Sequence, residues 1–89
     1  MKCLQLIVSG KVQGVFFRDS TRRKANELDL VGYAKNMHDG NVEVVAQGDE
    51  ENINELIEFI KNNPGHSKVE KIKINYKELE NFNEFEIED

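Results

Sequence analysis

An α+β fold, with two helices packed on one face of an antiparallel sheet, is what this sequence predicts, on three observations. First, 89 residues suffice for one hydrophobic core and little more, so a single domain over residues 1–89 is expected. Second, apolar residues recur with two distinct periods, alternating in short runs and spaced three or four apart in two longer ones. Third, breaker residues separate these runs in the order strand, helix, strand, strand, helix, strand.

Residues 3–8, CLQLIV, are a short aliphatic run that Gly10 ends, which predicts the first strand. From residue 17, Phe17, Thr21, Ala25 and Leu28 return at helical spacing with charges between them, one face of a helix reaching about Asp29. Val31 to Ala34 is the second strand. The segment NMHDGN at 36–41 carries the Asp-Gly signal of a tight reversal. Val42, Val44 and Ala46 then alternate with Glu43, Val45 and Gln47 in a third strand, which pairs with the second as a hairpin.

Gly48 stops that strand, and Asp49 suits the N-cap of the next helix. Ile53, Leu56, Ile57 and Ile60 fall at i, i+3, i+4 and i+7, the clearest amphipathic pattern in the chain. NNPGHS at 62–67 terminates the helix. Ile72, Ile74 and Tyr76 alternate with Lys and Asn in a strand exposed on one side, and Phe85 and Ile87 alternate with Glu in a short last strand. This order is the split βαβ, ferredoxin-like arrangement, which hosts many functions and settles none.

Charge narrows the partners. Residues 1–24 carry six Lys or Arg and one acid, whereas residues 25–89 carry six Lys or Arg and sixteen acids. Such a surface disfavours nonspecific nucleic-acid or anionic-membrane binding but permits a local anion site near Lys11 and Arg18. RNA stacking on the sheet is disfavoured further, because the strands lack interleaved aromatic and basic residues. No run is long enough to span a membrane. The N-terminal stretch reads as a strand and not as a signal peptide. One cysteine, Cys3, cannot form an intramolecular disulfide, so a cytoplasmic location is expected and Cys3 reads as a small apolar strand residue. A domain of this size needs no partner in principle, so a monomer is expected.

The stretch GKVQGVFFR at 10–18 joins the first strand to the first helix. Glycine permits backbone conformations closed to other residues and close approach of a ligand. The first N–H groups of a helix have no intrahelical partner and lie at the positive end of its dipole, so such a loop can cradle an oxyanion. Arg18 would add a planar fork for two oxygens. A cation in a first helical turn is otherwise unfavourable, a conflict that an anionic ligand resolves. The residues alone fit an ordinary strand-to-helix turn with a solvated arginine slightly better. The Lys-Ser/Thr pair of a Walker loop is absent. Asn36 by itself also reads as turn chemistry before Asp39-Gly40.

GKVQGVFFR, followed by Thr21, Ala25 and Leu28, and then GYAKNMHDGNVEVVAQG at 32–48, resembles the acylphosphatase family. The two blocks cover residues 8–48 with their spacing preserved, and the second helix and the Val69 region fit the remaining pattern. The resemblance implies the same ferredoxin-like fold and the hydrolysis of acyl phosphates to carboxylate and inorganic phosphate. It implies that main-chain amides from Gln13 through Gly14, Val15, Phe16, Phe17 and Arg18 bind the substrate phosphate, with Arg18 as the principal charged contact. Asn36 would orient the attacking water. No metal or organic cofactor would be needed, and inorganic phosphate would act as product and inhibitor. A noncatalytic anion-binding module of the same fold is the alternative.

Three positions depart from the family pattern: Tyr33 where Trp is frequent, Asp29 where Gly is frequent, and Ser67 where a small Ala is usual. They bear on local packing, not on the loop or Asn36. His38 and His66 read as solvated loop residues, since no Cys or His clusters with them. Phe16 and Phe17 read as core residues.

Overall fold

The computed structural model describes residues 1–88 and folds them as β1 (Lys2–Lys11), α1 (Phe17–Glu27), β2 (Val31–Asn36), β3 (Val42–Gly48), α2 (Glu50–Lys61), β4 (Lys68–Lys77) and β5 (Phe85–Glu88). The strands form one sheet in the order β4-β1-β3-β2-β5. β1 lies inside the sheet between β3 and β4, with Leu6 opposite Val44 of β3 and Ile74 of β4. Alternation puts Leu4, Leu6, Val8, Val42, Val44, Ala46 and Ala34 on the helix side. There they pack with Phe17, Ala25, Ile53, Leu56 and Ile60 in one buried core. Each fully buried aliphatic side chain contributes roughly 1.5–3 kcal/mol.

Three expectations need correction. The sheet is mixed, because β5 runs parallel to β2, with Gly32 opposite Phe85. Residues 78–84 carry the chain from the β4 edge to the opposite edge, so β5 enters alongside β2 in the same direction. β1 also does not stop at Gly10. It continues to Lys11 through a register shift between Ser9 and Gly10. Gly10 is thus a bulge residue pressed against β4 and lies outside the loop. The third is Phe16, whose ring stands outside the core. Asp49 is the N-cap of α2 as expected, and its side chain makes no capping hydrogen bond.

The face away from the helices is polar but ordered. Asn75 donates to Gln5, Gln5 donates to Glu43 at 2.6 Å, and the Tyr33 hydroxyl donates to the same carboxylate at 3.0 Å. Burial, followed by that bond to Glu43, pushes the Tyr33 phenol up from its ordinary value. Residues 78–84 cross this face at one end, where Gln47 exchanges two hydrogen bonds with the Glu80 backbone, both 2.9 Å. Cys3 is buried at this end, and desolvation pushes its thiol up, outweighing the opposing effect of Lys77. Asp29 takes φ 56, so it supplies the left-handed helix exit for which glycine is the usual choice. Ser67 is buried, with its hydroxyl donating to Pro64 O at 2.7 Å. Among the described residues no helix is long and apolar enough to cross a membrane.

Candidate active site

The loop between β1 and α1 alternates anchors and risers. Val12 is buried and Val15 packs against the core, while Gly14 and Phe16 stand exposed. Gly14 has φ 71 and Phe16 has φ 63 with ψ 21. Left-handed residues are one ingredient of the backbone nests that bind anions. Phe16 is also the N-cap of α1, and a phenyl ring offers no acceptor, so no side chain caps the helix. The first-turn amides lie at the positive end of the dipole.

Phe16 and Phe17 divide their roles. Phe17 is 1% exposed and sits in the core as expected, whereas Phe16 is 69% exposed. Phe16 is therefore not a core residue: its left-handed backbone throws the ring outward, and helix periodicity begins only with Phe17. The Phe16 ring meets His66 edge-on, with centroids 5.9 Å apart.

Three supports hold this loop, and none lies next to it in sequence. The His66 N–H donates to Val15 O at 2.9 Å. Gly65, at φ 67, comes so close beneath that a Cβ there would lie 2.6 Å from Val15 O. The Gln13 side chain donates to both Met37 O and Asn41 O, each at 2.8 Å. Finally, the Arg18 guanidinium donates through Nη1 to Glu88 O of β5 at 2.9 Å. Arg18 is thus aimed across the start of α1 toward the last strand. Asp19, the acid of that first turn, pairs with Arg22 and Arg23 at 2.8 and 3.1 Å.

Arg18, Gly14, Phe16, Val12 and Ile87 line one cavity of about 280 Å³. Asn36 ends β2 and lines a second hollow of about 310 Å³ with Lys35, Met37, His38 and Glu43. The loop residues and Arg18 therefore come together, while Asn36 opens onto a separate hollow. Gln13 bridges the two, since it binds the residue after Asn36. Among the described residues, the Asn36 Oδ1 is buried without a hydrogen-bond partner, as is Thr21 Oγ1 in the core. An orphaned buried carbonyl carries a desolvation cost of about 1–3 kcal/mol. Asp39 closes the turn after Asn36 through its two carboxylate oxygens, which accept from Asn41 at 3.0 and 3.2 Å. That is turn chemistry, as read from Asp-Gly. His38 and His66 are both exposed. Among the described residues no group of three or more His, Cys, Asp or Glu is placed to hold a metal ion.

Sequence reasoning missed the side-chain role of Gln13 and the supports from Gly65, His66 and Glu88. The Pro-Gly of NNPGHS was a visible signal of a shaped turn, but nothing local tied that turn to the loop.

A family model described as Acylphosphatase matches residues 4–87. An acylphosphatase of Acaryochloris marina is 45% identical over 85 residues, covering 96% of this chain and 91% of the relative. The crystal structure of acylphosphatase from Bacillus subtilis superimposes with a TM-score of 0.95 at 37% identity, covering both chains fully. The solved structure of an acylphosphatase from Coxiella burnetii gives a TM-score of 0.92 at 40% identity, over 98% of this chain and 92% of the other.

Proposed function

The chain belongs to the acylphosphatase family, whose reaction is the hydrolysis of acyl phosphates, and on that premise we propose how its residues divide the work. The main-chain amides of Gln13, Gly14, Val15, Phe16, Phe17 and Arg18 hold the substrate phosphate. The Arg18 guanidinium is the charged contact, and Asn36 directs the water. What supports this reading most is one observation: the uncapped start of α1, the left-handed Gly14 and Phe16, and Arg18 all border the same cavity.

In the step, the water oxygen bonds to phosphorus while the bond from phosphorus to the acyl oxygen breaks. The carboxylate leaves with that electron pair, and the water protons pass to phosphate and solvent. The transition state is loose, so position and charge stabilisation dominate. A carboxylate leaves without a proton from a general acid, and a metaphosphate-like centre needs no strong base, so a neutral amide suffices to orient water. Fixed amides and the guanidinium act where the equatorial oxygens carry charge. The buried, unpartnered Asn36 Oδ1 supports Asn36 as a residue kept for its chemistry. The Gln13 bridge supports joint action of the two hollows. The reading includes a monomeric domain working in the cytoplasm, with inorganic phosphate as a competitive inhibitor.

Release of phosphate from benzoyl phosphate tests it, with wild type measured beside Asn36→Ala and Arg18→Ala. Arg18→Ala is expected to raise KM and to lower kcat by roughly 10²–10³-fold, the scale for one oxyanion donor. Asn36→Ala is expected to lower mainly kcat, because water placement matters only in the transition state. No release by wild type above the uncatalysed rate would sink the reading.

A further inference from the structure

Phe16 poses a problem that phosphate binding does not solve. A phosphate takes only its backbone amide, and the left-handed backbone there suits Gly or Asn far better than a bulky aromatic. The ring is also 69% exposed, which gains little from the hydrophobic effect. Yet it is not loose, since His66 meets it edge-on at an interplanar angle of 66°. The cavity that Gly14 and Arg18 line is also lined by Phe16 and by the partly buried Ile87 of β5. An acyl phosphate is one charged end joined to one acyl group. With the phosphate against the amides and Arg18, the other end must leave along this cavity.

We propose that Phe16 and Ile87 form the acyl-group subsite and that Phe16 makes the enzyme select apolar, above all aromatic, acyl groups. This rests on the reading of the cavity as an acyl phosphate site. An aryl acyl group packs against the Phe16 ring in an offset or edge-on contact, the arrangement aromatic pairs prefer. A methyl group in the same place touches little of it.

The test compares kcat/KM for benzoyl phosphate and acetyl phosphate in wild type, Phe16→Ala, Phe16→Asn and Phe16→Tyr. Asn accepts the left-handed backbone and so removes the ring while preserving the loop. We expect Phe16→Ala and Phe16→Asn to lose about 10- to 100-fold on benzoyl phosphate, the scale of an apolar specificity contact. The ratio of kcat/KM for benzoyl over acetyl phosphate should fall about tenfold in Phe16→Asn, and Phe16→Tyr should keep the wild-type ratio. Equal losses on both substrates in Phe16→Asn would overturn the proposal, and so would a wild type with no preference for benzoyl phosphate. Wild type inert toward both substrates would overturn the reading of the site itself, a result distinct from either.

Discussion

The loop at residues 12–16 and the turn at 37–41 are joined by one side chain, Gln13, yet they are held in opposite ways. The turn closes on itself. Met37 N–H donates to Asn41 O at 2.8 Å, Gly40 N–H donates to Met37 O, and Asp39 caps Asn41. The loop makes almost none of its own bonds. Its shape depends on His66, Gly65, Gln13 and Glu88. Local bonds hold a reversal whatever surrounds it, whereas a surface whose amides face a ligand has given those amides away and must be propped from outside. The more of its backbone a segment offers to a ligand, the more remote are the residues that shape it.

Substitutions can break that contrast in graded fashion. The largest effect is expected from Gly65→Ala. Its Cβ would fall 2.6 Å from Val15 O and 2.9 Å from Phe16 O at a φ of 67, and no side-chain rotation relieves contact with backbone. Stability should drop by roughly 1–3 kcal/mol in denaturant titration. Turnover of benzoyl phosphate should fall by about 10²-fold, the effect of displacing a site by an ångström. A variant with full activity would show that the loop does not lean on residues 64–67.

Gln13→Ala comes next, because it uncouples the loop from the turn while leaving each intact. Loss of two hydrogen bonds of 2.8 Å is expected to cost about 1–2 kcal/mol. Activity should fall about tenfold, in kcat more than KM, since Asn36 loses its register to the cradle. An unchanged kcat would separate the two hollows functionally. Asp39→Ala is expected to do least. Its bonds are exposed and confined to the turn, so stability should fall by about 0.5 kcal/mol with kcat within about twofold of wild type. A large loss of activity there would erase the contrast.

The same contrast explains what could be read in advance. α2 was legible because Ile53, Leu56, Ile57 and Ile60 all become buried, and periodicity reports directly which side faces the core. The position of Asn36 at the end of β2 was legible from the Asp-Gly reversal that follows. The direction of β5 was not, since a strand reads the same whichever edge it joins, and only the path of residues 78–84 decides. Phe16 was misread because two adjacent phenylalanines carry no period. Which of them enters the core depends on where the first helical turn begins. Gly65, His66 and Glu88 reach the loop from distant parts of the chain, and no spacing records such contacts.

The place of β1 has a kinetic consequence. Leu6 pairs in the sheet with Val44 and Ile74, both far from it along the chain. Long stretches of chain must close before β1 gains either neighbour, and that entropy is spent before any contact repays it. Folding of such a topology is expected in the slower range for small domains, on the order of milliseconds to seconds. The loop after β1 waits longer still, for residues 65 and 66 beneath it and for β5 beside Arg18. A growing chain therefore has every residue of the loop well before it has the loop.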